Sequence, residues 1–329
     1  MSSTGVRGGI DLGGTKIQAA IVDAENRVLG EAREPTPSKG GPADVARAMA
    51  KGLRAAAADA GVEPAALAGV GIGSPGEVDA ATGTVSGAIN LPGWEGSFPL
   101  GDHLADALDT RIRIGNDVQV ATDAEFHLGA GRRYDSMLGV FWGTGVGGGL
   151  VLDGRDWLGR GVAGEIGHMV VEIGGARCPC GRRGCMEAYA GRRAMEAEAR
   201  RLHDAGEHTD LFKIMKKKGY DRLKSSVWEQ ALADGDAVAK RLLDRAVKAL
   251  GAGIGSAVNL LDIEAVIIGG GLGVRFGEPF RTRIEHQMLK HVFVDERPPA
   301  VLVAELGDLG GAIGAALLLN PEHEAGTAG

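Results

Sequence analysis

The chain has 329 residues, 44% of them apolar and 24% charged, with a net charge of −7. That is enough for one large domain or two medium ones with real cores, and the acidic balance speaks against nucleic acid, whose backbone calls for a basic patch. No apolar run reaches the ~20 residues of a membrane span, and the opening Met-Ser-Ser-Thr-Gly-Val-Arg lacks the apolar core of a signal peptide.

The first motif is Gly9-Ile-Asp11-Leu-Gly13-Gly14-Thr15-Lys16, followed by the β-leaning run to Val22. It reads as strand, Gly turn, strand. A Walker A loop or a dinucleotide fingerprint needs a helix after its glycines, so both are excluded. Residues 42–60 predict an alanine-rich helix and 69–72 a short buried strand. Pro75-Gly76 and Leu91-Pro92-Gly93-Trp94 mark turns or ligand-sized loops. Asn116-Asp117 follows the short strand 111–114, where an amide and a carboxylate either clamp hydroxyls or form a plain Asx turn or helix cap.

A second strand–turn–strand unit follows about 130 residues after the first. Leu138–Trp142 is its first strand, Gly143-Thr144-Gly145-Val-Gly147-Gly148-Gly149 its turn, and Leu150–Asp153 its second strand. Two such hairpins suggest an internally duplicated fold, one in each half. Residues 192–261 are mainly helical, with Ala239, Leu242, Leu243, Ala246, Leu250 and Ile254 on one apolar stripe. The triple lysine 216–218 reads as a solvated helix face. Val266–Ile268 predicts a buried strand opening onto a Gly269–Gly273 loop, and small residues from Gly307 start a tightly packed last helix.

Glycine is abundant, 55 residues, and clusters beside apolar runs, as expected where backbone must approach a ligand. Gly-Gly-Thr and Gly-Thr-Gly turns present unhindered N–H groups and a hydroxyl to phosphate oxygens, although each alone could be a plain tight turn. Taken together with Gly269–Gly273 they favour nucleotide phosphate. Asp11 could hold Mg²⁺ through water.

The chain's three cysteines fall within one eight-residue window, as Cys178-Pro-Cys180 and Cys185, with His168 ten positions upstream of Cys178. Three thiolates and an imidazole complete a closed tetrahedral zinc shell, which leaves no open position to activate water. The alternative is a set of small buried hydrophobes beside a core histidine. Zinc is the preferred reading, and metal-binding thiols without a secretion signal point to a reducing cytoplasm. Such a site would hold Glu165, His168 and Glu187 together as a rigid wall for a polyhydroxyl ligand.

These motifs, namely Asp11-Leu-Gly-Gly-Thr-Lys16, Gly143-Thr-Gly-Val-Gly-Gly-Gly149 and Gly164-Glu-Ile-Gly-His168 with Cys178-x-Cys-x4-Cys185-x-Glu187, resemble the ROK sugar kinases. The likeness runs from about residue 8 to about 316 and is greatest to bacterial zinc-containing glucokinases. It implies an α/β, duplicated ribonuclease-H-like (hexokinase/actin-like) two-lobe fold whose interlobe cleft closes on sugar and MgATP. The expected division is a small lobe 1–115, a large lobe 116–305 with the zinc site, a last helix near 306–319 packing back on the small lobe, and a frayed tail 320–329.

The resemblance implies Asp117 as general base on the sugar 6-hydroxyl. Gly76, Glu77, Asn90, Asn116, Glu165, His168 and Glu187 would contact the sugar. Asp11, Gly13, Gly14, Thr15, Lys16, Thr144 and Gly145 would serve MgATP phosphates, and Gly269, Gly270 and Gly271 the adenosine. His168, Cys178, Cys180 and Cys185 would hold structural Zn²⁺. The expected reaction is ATP-dependent phosphorylation of a hexose, glucose first, in a cytoplasmic homodimer or homotetramer without nucleic-acid or membrane partners. The alternatives are N-acetylglucosamine, mannose or fructose as acceptor, polyphosphate as donor, a zinc-stabilised binding module, and a sugar-sensing protein of the same family. The sensing regulators carry an N-terminal helix-turn-helix, for which the ten residues before Asp11 leave no room. Residues 209–228 depart from the family pattern as an insertion-like basic and aromatic stretch, expected to bear on interface geometry.

Overall fold

Buried apolar strands build two five-stranded sheets with the same strand order. The computed structural model describes residues 5–88, 91–294 and 296–320. In the first sheet β1 (Arg7–Leu12), β2 (Lys16–Val22) and β3 (Val28–Pro35) form an antiparallel meander. Helix α1 (Pro42–Asp59) crosses to β4 (Val70–Ser74), which lies parallel to β1. A small sheet follows, β5 (Glu77–Asp79), β6 (Thr84–Ser86) and β7 (Ser97–Phe98). Helix α2 (Leu100–Leu108) then leads to β8 (Ile112–Asn116), parallel to β4, and α3 (Asp117–His127) leaves β8 directly.

The second sheet repeats the plan. β9 (Met137–Trp142), β10 (Val146–Leu152) and β11 (Arg155–Asp156) form the meander. The helices α4 (Glu187–Ala190), α5 (Arg192–Asp204), α6 (Leu211–Lys217), α7 (Ser225–Ala233) and α8 (Ala237–Leu261) follow. β12 (Ala265–Gly269) then lies parallel to β9, and after α9 (Gly270–Met288) β13 (Ala300–Val303) lies parallel to β12. The orders β3-β2-β1-β4-β8 and β11-β10-β9-β12-β13 match strand for strand, so the duplication expected from the paired hairpins is present.

Each element follows from its residues. Every residue of β4 and of β12 is buried, as a parallel strand covered on both faces requires. α1 starts with Pro42 in its first turn, where a missing N–H costs nothing, and Asp44 accepts the Gly41 N–H at 2.9 Å. Val45, Met49, Leu53 and Ala56 form its buried stripe. The stripe expected on α8 is likewise buried throughout.

The chain divides into two compact units, one up to Gly129 and again from Glu305, the other Ala130–Ala304. Helix α10 (Gly310–Leu317) lies against β1, β4 and α3 of the first unit. A Cβ on Gly9 or Gly71 would overlap the carbonyls of Ala312 and Ala315, so small residues on both sides let helix and sheet backbones touch. The boundary drawn at 115/116 needs correction. α3 packs on α10 and β4, which extends the first unit to Gly129.

Three other local expectations differ from the structure. The turn of the second hairpin is confined to 143–145, and Gly147–Gly149 lie within β10. Gly148 is there because a Cβ would press on the Gly164 carbonyl, 2.6 Å away. Gly270 begins α9 itself, so the third glycine cluster is a strand–helix junction and not a loop. Residues 209–228 are not a peripheral insertion. Leu211, Met215, Leu223, Val227 and Trp228 are buried in the second core, and Thr209 donates to Asp236, which caps α8. The lysines 216–218 are exposed, as read from the sequence.

Candidate functional site

In the first unit the expected residues collect at the C-terminal ends of the parallel strands β1, β4 and β8, where α/β sheets place ligands. Asp11 is the penultimate residue of β1, the Pro75-Gly76 loop follows β4, and Asn116 ends β8 with Asp117 next to it. Register aligns them, with Asp11 opposite Gly73 and Ser74 opposite Asn116. The β1–β2 turn is closed by the Gly13 N–H on the Lys16 carbonyl at 3.0 Å and leaves Gly14 and Thr15 exposed. Lys16 pairs with Asp308 at 3.2 Å.

Asp11 is enclosed by its strand end and the start of α10, where a Cβ on Gly311 would lie 2.7 Å from its carboxyl carbon. Burial pushes its pKa up to about 6, with Lys16 opposing and Asp308 adding to the shift. A carboxylate held partly protonated in this way suits a nearby cation, which would restore its charge. This donor chemistry fits water-mediated Mg²⁺.

Asn116 is the N-cap of α3. Its Oδ1 accepts the N–H groups of Val118 and Gln119 at 3.0 and 3.2 Å. The cap reading is therefore realised, and the amide Nδ2 is the group left to offer a hydroxyl. Asp117 opens the helix next to it, partly buried, with Oδ1 accepting the Val118 N–H at 2.9 Å. Gly76 is partly buried and Glu77 exposed on β5, while Asn90 lies outside the described residues.

In the second unit the metal-ligand set converges. The ligand atoms of His168, Cys178, Cys180 and Cys185 all lie within 4.8 Å of one another. The Cys180 and Cys185 sulfurs are 3.7 Å apart, and Cys178 Sγ is 3.7 Å from His168 Nδ1. A tetrahedron with ~2.3 Å Zn–S arms has edges of about 3.8 Å, so the donors fit Zn²⁺. Backbone bonds draw the loop closed, Cys178 N–H to Arg182 O at 2.8 Å and Met186 N–H to Met169 O at 2.8 Å. Burial raises the Cys178 thiol, whereas the Arg182 N–H lowers Cys180.

His168 ends a short 3₁₀ turn (Ile166–His168), and its Nε2 lies 3.8 Å from the Glu165 carboxylate. Two residues past Cys185, Glu187 accepts the Val146 N–H at 2.8 Å. A Cβ on Gly145 would overlap the same carboxylate, so only glycine admits Glu187 there. The other glycine junction is close, since a Cβ on Gly143 would lie 3.7 Å from the Gly271 nitrogen. One residue escaped the sequence reading. Arg192 donates to Thr144 Oγ1 at 2.8 Å, and its only sequence signal was an arginine opening a helix straight after a glycine.

Comparison with known proteins places the chain in one family. The sequence model of the ROK family matches residues 7–322. The chain is 33% identical to a glucokinase of Thermotoga maritima across 92% of this chain and 95% of that protein. It is also 33% identical to an N-acetyl-D-glucosamine kinase of Pectobacterium atrosepticum across 94% and 97%. Among solved structures, a ROK family glucokinase from Streptomyces griseus in complex with glucose and AMPPNP superposes with a TM-score of 0.81 at 33% identity, covering 95% of this chain and 99% of that one.

Proposed function

The chain belongs to the ROK family, and we propose that it is an ATP-dependent hexose kinase that phosphorylates the 6-hydroxyl of glucose. The observation that carries this reading is the Glu187 carboxylate on the Val146 N–H. It fastens a hydroxyl-binding group, carried just beyond the cysteine loop, to the turn of Thr144 and Gly145. Phosphoryl transfer is mostly positioning and charge stabilisation, so acceptor groups and phosphate groups must be fixed relative to each other.

In this reading Glu165, His168, Glu187 and the Asn116 amide serve the sugar hydroxyls, and Gly76 and Glu77 the same ligand. Asp117 accepts the proton of the 6-hydroxyl as its oxygen bonds to the γ-phosphorus. The bond from that phosphorus to the β-bridging oxygen breaks, ADP leaves, and Asp117 returns the proton to water. Gly13–Lys16, Thr144 and Gly145 meet the phosphates, and Gly269–Gly271 the adenosine. Mg²⁺, which Asp11 would hold through water, supplies charge neutralisation on the phosphates. Zn²⁺ on His168, Cys178, Cys180 and Cys185 would be structural, its closed shell keeping the loop of Glu187 in place. Thiolate ligands of this kind belong in a reducing compartment, which supports a cytoplasmic enzyme.

The test is ADP release with a panel of hexoses at fixed MgATP, ranked by kcat/KM. Glucose should rank first. A higher value for N-acetylglucosamine, the acceptor named for the Pectobacterium relative, would move the assignment to that sugar. No ADP release with any hexose would refute the kinase reading.

A further inference from the structure

The guanidinium of Arg192 is tied into the turn assigned above to the donor phosphates. Besides the Thr144 hydroxyl, it reaches the Leu223 carbonyl at 3.4 Å. The backbone adds two bonds of 3.1 Å, Arg192 N–H to Gly143 O and Arg193 N–H to Thr144 O. Leu223 lies just ahead of α7, whose first residue, Ser225, has its hydroxyl 3.5 Å from where a Cβ on Gly271 would be. One side chain thus links the Gly143–Gly145 turn to the segment that borders the Gly269–Gly271 junction.

Burial is the main cause that lowers the pKa of Arg192; Glu196 opposes it, and Arg222 and Arg193 act on it as like charges. It remains protonated all the same. Two arginines at the start of α5 also oppose the helix dipole, so helix formation does not account for them.

We propose that Arg192 is a positioning residue for the donor: it fixes the Thr144 hydroxyl and supplies the positive charge by which this turn selects a nucleoside polyphosphate over the bare nucleoside. The proposal rests on the reading of the Gly143–Gly145 turn as a phosphate cradle.

The test is calorimetric binding of ADP with Mg²⁺, and of adenosine, to the full-length, metal-loaded chain and its variants. Arg192→Ala should weaken ADP by roughly tenfold to a hundredfold, the size of a lost charged hydrogen bond. Adenosine affinity and the KM for hexose should stay within about twofold. Because Arg192 acts through Thr144, Thr144→Val combined with Arg192→Ala should cost less than the sum of the two. Arg192→Lys keeps a charge but not the fork, and should weaken ADP severalfold while sparing adenosine. It serves as the deciding variant if Arg192→Ala does not fold.

ADP binding unchanged in the variants, or ADP and adenosine weakened alike, would overturn the role of Arg192. The underlying reading fails separately: a wild-type chain that binds adenosine as tightly as ADP has no phosphate cradle. A wild-type preference for ADP that survives Arg192→Ala removes Arg192 alone.

Discussion

His168 turns Nδ1 toward Cys178 Sγ at 3.7 Å and Nε2 toward Glu165 at 3.8 Å, so a single ring joins the thiol cluster to the acidic wall. Metal on one nitrogen fixes the tautomer and orientation of the other. The protein should therefore carry one tightly held zinc per chain. Metal analysis after dialysis checks this, and less than half an equivalent would contradict it. Cys180→Ser should lose both the zinc and the sugar site, because the segment from Cys185 to Glu187 would no longer be pinned. A zinc-free variant with wild-type KM for hexose would show that the metal does not organise the pocket.

Gly145→Ala isolates the link between Glu187 and the Thr144–Gly145 turn. The new Cβ overlaps the end of a flexible side chain and no backbone, so the fold should tolerate it. Glu187 should be displaced and lose its bond to Val146. The expected outcome is a several-fold rise in KM for hexose with Tm lowered by no more than a few degrees, read from steady-state kinetics and thermal melts.

Gly71→Ala should act through the fold instead. Its Cβ would meet the Ala315 carbonyl, which is backbone and cannot turn aside, so α10 must move off the sheet. A loss of at least about 2 kcal/mol, or failure to fold, is expected from such overpacking. Denaturant unfolding measures it.

Asp11 gives stability a pH dependence with a definite sign. Its folded pKa is raised from 3.8 to about 6, so the folded state holds a proton that the unfolded chain has released. The stability this contributes is present in full below 3.8 and is lost as pH rises through about 6. Asp11→Asn removes the buried charge, so without nucleotide the melting temperature of the variant should gain on wild type between pH 4 and pH 7. A difference that does not vary with pH would contradict the enclosed carboxylate.

The convergence of His168 with the three cysteines was legible because all the thiols fall in one window, and the duplication because two glycine hairpins interrupt apolar runs in the same way. The limits were physical. Gly147–Gly149 reads as turn by propensity, yet it is strand because it pairs with β9, and Gly148 must be glycine because Gly164 lies against it. The boundary was misplaced because α3 buries polar residues that look solvent-facing in sequence: Gln119, Thr122, Asp123 and Glu125. The Glu125 carboxylate explains part of this, since it accepts the N–H groups of Glu305 and Leu306 at 3.0 and 2.9 Å, partners 180 residues away. Arg192 was missed for the same reason, its acceptor lying on a turn 48 positions earlier.

The most direct test of the kinase account is Asp117→Asn. Asparagine keeps the size and the helix start but cannot take the proton of the sugar 6-hydroxyl, a contribution of roughly 10²–10⁴ in rate. Steady-state kinetics and calorimetric glucose binding on one zinc-loaded preparation give both quantities. The account predicts kcat lowered by at least about a hundredfold with glucose affinity nearly unchanged. A kcat within a few-fold of wild type would contradict it, because Asp117 would then not be the base.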